Sequence, residues 1–282
     1  MAASDSNRWI SFRLGEQVFA LPVTQLRELV PLRNLPVTSI PHSPPAIEGT
    51  TLIRDLVVTV VDIRPLMGMP SMRQDTERVL EMLRQREQDH IDWLNELEAS
   101  VREQREFTLQ TDPNLCKFGR WYNQLMGDRE ALSEFTRDNL ALQEILERFN
   151  LPHRRIHSIA QQVVELVQQG QADKAQEIID ATRATQLRAM LELFESCREM
   201  FAQLRRGILM ILDYQGEPLG VLVDTVNEVM TIRREQMEEL PRLADSTTLV
   251  TGLARCDGRL IQLLSVDRIV EMLHRHEGPV PV

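Results

Sequence analysis

Two stretches of the chain share one pattern of small, apolar and acidic residues: Ala20-Leu21-Pro22-Val23-Thr24-Gln25-Leu26-Arg27-Glu28-Leu29-Val30 and Gly220-Val221-Leu222-Val223-Asp224-Thr225-Val226-Asn227-Glu228-Val229-Met230. The apolar positions and the glutamate recur at a constant offset. Each copy follows a turn signal, Leu14-Gly15-Glu16 in the first and Gln215-Gly216-Glu217 in the second. This self-similarity indicates an internal duplication of a β-rich unit.

The correspondence continues downstream of both copies. Ile47-Glu48-Gly49 matches Val250-Thr251-Gly252, and a turn dipeptide follows at the same distance, Arg54-Asp55 in one copy and Asp257-Gly258 in the other. β-Branched runs typical of half-buried strands come next. Because short strands separated by turns commonly form small barrels that cover their own edges, the sequence predicts two β-barrel subdomains, in residues 1–74 and 207–282.

The segment between the copies, residues 75–206, has a helical period and is rich in Glu, Gln, Arg and Leu. Helices are predicted to start after Asp75 and after Asp112-Pro113, and to cover about 129–149, 152–170 and 172–204. In the second helix Asp112 is expected to cap the N-terminus, with Pro113 at the first position. The predicted fold class is α+β, with an antiparallel helical bundle inserted between the two β-subdomains.

Charge and apolar runs restrict the class of protein. The net charge is −10, and no basic stripe interrupts the acidic surface, which argues against a nucleic-acid partner. No apolar run approaches the roughly 18 residues of a membrane span, and the first residues lack the pattern of a secretory signal. Three cysteines without an export signal favour a reducing compartment. We therefore expect a soluble, cytoplasmic protein without direct membrane insertion.

Four side chains in the helical segment have the chemistry of metal ligands: His90, Cys116, His153 and His157. His153 and His157 are four residues apart, so both imidazoles project from one helix face. His90 and His157 lie on apolar stripes, and Cys116 lies near a helix start, where backbone amides favour a thiolate. Three imidazoles and a thiolate suit a tetrahedral Zn²⁺ better than a hard, oxygen-seeking ion. The alternative is that these histidines are ordinary core residues. It stays open because periodicity does not show that their helices meet.

Three stretches of this segment resemble the chemoreceptor zinc-binding (CZB) domain, in the same order and with comparable spacing: His90-Ile91-Asp92-Trp93, Cys116-Lys117-Phe118-Gly119-Arg120-Trp121 and Pro152-His153-Arg154-Arg155-Ile156-His157. In that family three His and one Cys hold the ion, so the resemblance implies that the four side chains above are the ligands. It also implies sensing of zinc, or of oxidants such as hypochlorous acid, through Cys116.

Both flanks of the segment resemble CheW, the adaptor that joins chemoreceptors to the CheA histidine kinase. The similarity covers residues 9–15, 23–29, 219–229 and 252–255, and it implies a fold of two small β-barrels. Glu28 falls on the Val-x-Glu-Val stretch of the family, and Arg54 takes the place of its characteristic arginine, so both are implied to bind partners. The implied partners are a chemoreceptor (methyl-accepting chemotaxis protein) and a CheA-type histidine kinase.

Three residues near Arg54 depart from the CheW pattern. Leu52 stands where the family prefers Asn, Asp55 where it prefers Gly, and Thr59 where it prefers Pro. We expect the contacts of Arg54 to differ for this reason.

The other cysteines and histidines have simpler interpretations. Cys197 has the helical spacing of a core residue. Cys256 comes just before the predicted turn and is expected in a strand, and His274 and His276 are expected in a solvated tail. Trp93 and Trp121 follow two of the proposed ligands and could either line the metal or simply pack in the core.

Three functions fit these patterns to different degrees. The first is a chemotaxis adaptor whose helical insert senses zinc or oxidants. The second is a constitutive scaffold with purely structural zinc, for which the ligands would be the same. The third, a zinc hydrolase, is disfavoured because four protein ligands leave no position for water and because no nucleophile elbow, phosphate-binding glycine loop or HExxH stretch is present.

Overall fold

The computed structural model describes residues 7–239, 248–256 and 258–276. Two compact units divide the chain: the β-unit, formed by Met1–Asp75 together with Arg205–Val282, and the helical unit, Thr76–Leu204. The predicted α+β class, with a helical segment inserted between two sheet-forming flanks, is confirmed. The turn predicted in the second copy begins at Asp257, which lies outside the described residues.

Short apolar and β-branched runs form the strands of the β-unit. Those of the first flank are β1 Arg8–Leu14, β2 Gln17–Pro22, β3 Leu26–Pro31, β4 Ile47–Ile53 and β5 Leu56–Asp62. Those of the second flank are β6 Ile208–Tyr214, β7 Glu217–Val223, β8 Thr225–Thr231, β9 Met237–Glu239, β10 Val250–Cys256 and β11 Arg259–Leu264. Apolar side chains of both flanks share one buried core, in which the Phe12 and Phe19 rings stack at 6.0 Å.

Each sheet takes strands from both flanks. One has the order β8-β1-β2-β11-β10-β9 and the other β3-β6-β7-β5-β4. The β1/β2 hairpin meets the second flank through the parallel pair β2/β11, and the β6/β7 hairpin meets the first flank through the parallel pair β5/β7. This exchange of hairpins differs from the expected division into one subdomain per flank. Its physical reason is that the two copies present similar strand edges, so each hairpin can complete the sheet of the other copy.

The two sheets are open rather than closed barrels. Among the described strands, β3 and β4 form the edges of the second sheet and do not pair with each other. An ion pair joins Glu28 of β3 to Arg54, which follows β4, and Thr38 of the segment between the two strands forms a bridge with Thr50 of β4. The sequence did not reveal this, because closure depends on distant edges rather than on local pattern.

A buried ionic network ties the flanks together. Asp62 is fully buried and accepts hydrogen bonds from the backbone N–H groups of Arg64 at 3.0 Å and Met72 at 2.7 Å. The Arg64 guanidinium lies 3.1 Å from Asp62 and 2.6 Å from Asp224, and Asp224 in turn accepts the N–H of Gly15 at 2.6 Å. The network therefore joins the end of β5, the β1–β2 turn and the residue that follows β7.

The C-terminal part of the β-unit contains a helix that the sequence analysis missed, α8, with bounds Val266–His276. Val266, Ile269, Val270 and Leu273 are buried on one face of it, whereas His274 is exposed. The side chain of His276 lies outside the described residues. The part of the expected solvated tail that ends at His276 is therefore an amphipathic helix that packs on the sheet core.

The inserted segment is helical, as predicted, but its elements are shorter and more numerous. They are α1 Met72–Arg102, α2 Lys117–Gly127, α3 Arg129–Thr136, α4 Leu140–Arg148, α5 Asn150–Gln168, α6 Ala172–Thr182 and α7 Arg188–Leu204, with a π-helical segment, Arg183–Leu187, between α6 and α7. The predicted helix over 129–149 breaks because Arg137 and Asp138 have positive φ angles and Asn139 caps a new helix. None of the helices in the described ranges is long and apolar enough to cross a membrane.

Two arginines hold the helix α1 in place. Arg198 of α7 pairs with Glu87, and Arg183 contacts Asn95 at 2.8 Å and Glu98 at 2.5 Å. These contacts lie on either side of His90 along α1. They therefore fix the part of α1 that carries the first candidate ligand.

Candidate metal centre

His90 reaches the interior of the helical unit from α1. Its Nδ1 lies 2.6 Å from the backbone carbonyl of Arg86, which has no proton to give, so Nδ1 carries the hydrogen. This bond leaves Nε2 without a proton and able to coordinate a metal ion. A backbone hydrogen bond of this kind commonly fixes the tautomer of a metal-binding histidine.

His153 and His157 come from successive turns of α5. The rings are 5.0 Å apart between centroids, and they lie 5.2 Å and 5.8 Å from the ring of His90. All three histidines are buried. Helical spacing places both imidazoles on one face of α5, and the packing of α1 against that face brings the imidazole of His90 opposite them.

Cys116 is the N-cap of α2 rather than a residue of its first turn. Its Sγ accepts a hydrogen bond from the N–H of Gly119 at 3.1 Å and lies 3.2 Å from His153 Nε2. Asp112, which the sequence predicted as the cap, instead accepts the N–H of Asn114 at 2.8 Å in the preceding loop. The expected Asp112 cap was wrong because this short-range bond starts a turn before the helix begins.

Gly119 explains why the Cys-x-Phe-Gly stretch needs a glycine. A Cβ at this position would lie 1.8 Å from the backbone oxygen of Pro113. Only glycine lets the loop pass this close to α2, and the close approach places Cys116 beside the histidines.

The four candidate ligands converge. One ligand atom each from His90, Cys116, His153 and His157 can be chosen so that all lie within 4.8 Å of one another. Tetrahedral zinc, with bonds of about 2.1 Å to nitrogen and 2.3 Å to sulfur, holds its ligand atoms about 3.5 Å apart. A small contraction of the cluster would therefore create a zinc site.

Buried nitrogen atoms without partners also indicate a metal. Within the described residues, His90 Nε2 and both ring nitrogens of His157 are buried and have no hydrogen bond of ordinary geometry. Buried polar atoms are rarely left without a partner, because their desolvation costs free energy. A metal ion would provide the missing partner, and the donor set is one that zinc prefers.

Burial sets the charge state of the four side chains in the metal-free protein. It lowers the pKa of His90, lowers that of His153 to about 3 with help from the other two histidines, and lowers that of His157 to about 4. Burial also raises the pKa of Cys116, against the opposing effect of the Gly119 and Phe118 amides. The expectation that the helix start makes Cys116 a thiolate was thus wrong for the metal-free state, in which burial dominates. Zinc would bind three neutral imidazoles and displace about one proton, from Cys116.

For the metal-free protein, we expect the free energy of unfolding of the helical unit to fall as the pH is lowered from about 7 to about 4. Folded His153 and His157 stay neutral down to pKa values of about 3 and about 4, whereas unfolded histidine takes up its proton near pH 6.5. The unfolded chain binds more protons over this window, so each group destabilises the fold by up to about 1.4 kcal/mol per pH unit.

Urea unfolding with a chelator present, at about pH 7.5, 6 and 5, measures this slope. The double variant His153→Gln/His157→Gln is the control and should lose most of it. A wild-type midpoint independent of pH would contradict the expectation.

Aromatic rings and a small cavity surround the cluster. Phe118 packs on His153 at 4.8 Å, and Trp93 packs on His157 at the same distance between ring centroids. A cavity of about 300 Å³ reaches the cluster from one side. Its lining includes His90, His157 and Cys116, together with the charged side chains of its rim, Asp89, Lys117 and Arg120.

The two candidate partner-binding residues lie in the β-unit and contact each other. Arg54 Nη2 is 3.0 Å from Glu28 Oε2, and the Arg54 side chain is 81% exposed. Next to this pair, Leu52 and Val57 are direct cross-strand neighbours with 58% and 67% of their surface exposed. The departure at Leu52 thus adds an exposed apolar side chain beside Arg54.

Asp55 occupies a position that favours glycine. It and Arg54 form a two-residue turn between β4 and β5, with φ angles of 68° and 47°. Positive φ at both central residues is the pattern of a type I′ turn. This conformation costs free energy for every residue except glycine.

We therefore expect Asp55→Gly to stabilise the β-unit by about 0.5 kcal/mol. The free energy gained by relieving backbone strain in the folded state exceeds the free energy lost because glycine makes the unfolded chain more flexible. Chemical denaturation measures the change. Asp267→Gly, in the first turn of α8, is a control that should destabilise the same unit by about 0.5–1 kcal/mol. A loss of stability in Asp55→Gly would contradict the strain argument.

The fold and the cluster define a class of protein: a two-sheet scaffold with an inserted helical unit that contains a candidate metal centre. The sequence profile of the CheW-like domain matches residues 8–89 and 178–274, and that of the chemoreceptor zinc-binding domain matches residues 90–164. The first match covers more than half of the chain, which therefore belongs to the CheW-like family. All four candidate ligands lie within the second match, and neither profile is that of an enzyme family.

A solved structure is also similar to the chain. It is the scaffolding protein CheW of Thermoanaerobacter tengcongensis, with 13% sequence identity and a TM-score of 0.41 over 93% of this chain and 90% of that one. A search of the curated proteins finds no match.

Proposed function

We propose that this protein is a chemotaxis adaptor that links chemoreceptors to a CheA-type histidine kinase and that its helical unit binds one Zn²⁺ through His90, Cys116, His153 and His157. A chemotaxis scaffold with a zinc-binding domain follows from the two family matches. The observation that carries the ligand assignment is the convergence of four donor atoms, three of them from buried histidines.

Zinc bound here would be held by four protein ligands, so it would organise the helices rather than activate water. His90 would use Nε2, since its Nδ1 donates to the Arg86 carbonyl. Cys116 would supply the only negatively charged ligand. The ion would therefore join α1, α5 and the start of α2.

Cys116 also gives the site a response to oxidants. In a two-electron oxidation by hypochlorous acid, a thiolate gains the OH group to form a sulfenic acid while the O–Cl bond breaks and chloride leaves, so the ligand loses its negative charge. The cavity beside Cys116 would let a small molecule reach the sulfur. We infer that zinc occupancy or oxidation of Cys116 alters the helical unit and thereby the coupling of receptor to kinase.

The β-unit supplies the partner contacts in this proposal. Glu28 and Arg54 would contact the receptor or the kinase, and the exposed pair Leu52 and Val57 would add apolar area to the same surface. The domains would be residues 1–74 and 207–282 for docking and 75–206 for sensing. The adaptor would act in the cytoplasm without inserting into a membrane or binding nucleic acid.

The test is kinase activation in a reconstituted array of receptor, kinase and adaptor. Wild type and Cys116→Ala are compared with and without zinc. The proposal expects zinc to change the activity with wild type and to have a much smaller effect with the variant. Equal activity in all four conditions would remove sensing, and absence of activation by wild type would remove the adaptor role.

A constitutive scaffold with structural zinc is the second candidate. It is favoured by the position of the cluster among the core residues of the helical unit, where an ion would also stabilise the fold. Zinc affinity separates the two functions, because a sensor must bind near the free zinc level of the cell and a structural ion is held far more tightly.

A further inference from the structure

The loop between α1 and the N-cap of α2, residues 103–115, contacts α1 through Trp93. Trp93 is only 6% exposed, and its Nε1 donates to the backbone carbonyl of Gln110 at 2.9 Å. Its ring also meets Phe107 edge to face at 5.2 Å between centroids. An ion pair between Arg105 and Glu96 attaches the first part of the loop to the same helix.

The attached loop lies near a candidate ligand. The ring of Trp93 packs on His157 at 4.8 Å, and Gln110 of the loop lines the same cavity as His157. Trp93 follows His90 by three residues on α1, so one side chain connects the helix of one ligand to the ring of another.

Hydrogen bonds continue from Gln110 to the start of α2. The side-chain oxygen of Gln110 accepts the N–H of Asp112 at 2.9 Å, and a carboxylate oxygen of Asp112 accepts the N–H of Asn114 at 2.8 Å. Asn114 then accepts from Asn123 of α2 at 3.1 Å. This path runs through Asn114, two residues before Cys116, and ends on α2. The position of Cys116 depends on where the loop enters α2.

We propose that Trp93 is a positioning residue for the metal centre: it holds the loop across His157 and thereby sets the place of Cys116. The inference rests on the zinc site proposed above, although its effect on the exposure of Cys116 does not require zinc. The indole N–H is the decisive group, because a phenylalanine could keep the ring contact but could not donate to Gln110.

The experiment compares Trp93→Phe with Trp121→Phe in the full chain. Trp121 is a suitable control because it packs on Phe118 and Phe135 in the same unit and is not a neighbour of the His157 ring in the described contacts. Zinc affinity is measured by competition with a chromophoric chelator. Alkylation of Cys116 in the metal-free protein is followed by mass spectrometry of its peptide.

We expect Trp93→Phe to weaken zinc binding about tenfold, as loss of an outer contact to a ligand commonly does. We also expect alkylation of Cys116 to quicken about fivefold, the factor that one lost hydrogen bond implies for the opening of the loop. Trp121→Phe should change either quantity by less than about twofold.

Wild-type affinity and wild-type alkylation in Trp93→Phe would overturn the proposal, and so would equal losses in Trp121→Phe, which would indicate general packing. If wild type binds no zinc, the proposed function fails while the alkylation rates still test the loop. If Trp93→Phe lacks the circular dichroism of a helical protein, Gln110→Ala replaces it, because this variant removes the next bond of the path. Unchanged alkylation in Gln110→Ala would then overturn the proposal.

Discussion

Replacing Cys116 by alanine is expected to lower the zinc content of the purified protein from one ion per chain to less than about one-tenth, because three neutral imidazoles hold zinc much more weakly than three imidazoles and a thiolate. The Cys116 sulfur lies 3.2 Å from His153 Nε2 and within 4.8 Å of a ligand atom of each histidine. Metal content is measured by mass spectrometry after dialysis against metal-free buffer.

Stability provides a second measure of the same loss. A ligand that binds only the folded chain stabilises it by about 4 kcal/mol at a free concentration 1,000 times its dissociation constant. Chelator should therefore lower the unfolding temperature of wild type and leave that of Cys116→Ala nearly unchanged.

Cys197→Ala is the matched control for Cys116→Ala. Cys197 is a buried core residue of the same helical unit, and burial raises the pKa of its thiol to about 12. We expect this variant to lose some stability through a small cavity but to keep one zinc ion per chain. Loss of zinc from Cys197→Ala alone would contradict the ligand assignment.

The second large effect is expected from Arg64→Met, which should destabilise the β-unit by about 3–5 kcal/mol. The substitution removes the guanidinium that lies beside Asp224 and beside Asp62, which is fully buried. Although burial opposes it, the interaction with Asp224 and Asp62 raises the pKa of Arg64, so the guanidinium is charged in the folded chain. Removing one partner of a buried ionic network leaves an uncompensated charge, which costs more than the pair itself contributes.

Urea unfolding followed by hydrogen-exchange mass spectrometry assigns this loss to peptides of the β-unit. Arg73→Met is the matched control, since Arg73 lies 3.7 Å from Glu48 with 68% of its side chain exposed. Such an exposed pair contributes at most about 1 kcal/mol. Equal stability of Arg64→Met and Arg73→Met would contradict a structural role of the buried network.

The sequence predicted which segments form strands and helices better than it predicted how the strands pair. The matched strands around Glu28 and Glu228 and the helical period of residues 75–206 are local patterns, and they identified the α+β class. The exchange of hairpins between sheets could not be predicted, because the two copies have nearly the same pattern and each hairpin has two similar partners. Pairing of this kind is decided by long-range packing.

Predictions at the metal centre had a similar limit. The spacing of His153 and His157 shows that they share a helix face, but whether α1 and α2 meet that face depends on tertiary packing. The cap of α2 was misassigned because Asp112 and Cys116 can both accept backbone hydrogen bonds, and the close approach of Pro113 to Gly119 decides between them. The bond from Trp93 to Gln110 could not be found, because its acceptor is a backbone carbonyl that any residue would provide.

The shared sheets also determine the order in which the protein can be assembled during synthesis. Strand β2 needs β11 and β5 needs β7, so the first flank cannot complete either sheet until residues 205–282 have left the ribosome. By then the whole of Thr76–Leu204 has been made and can already have folded. A protease cut in the loop at 103–115 of the finished protein would leave two fragments that remain associated, since the strands on either side of the cut are paired with each other.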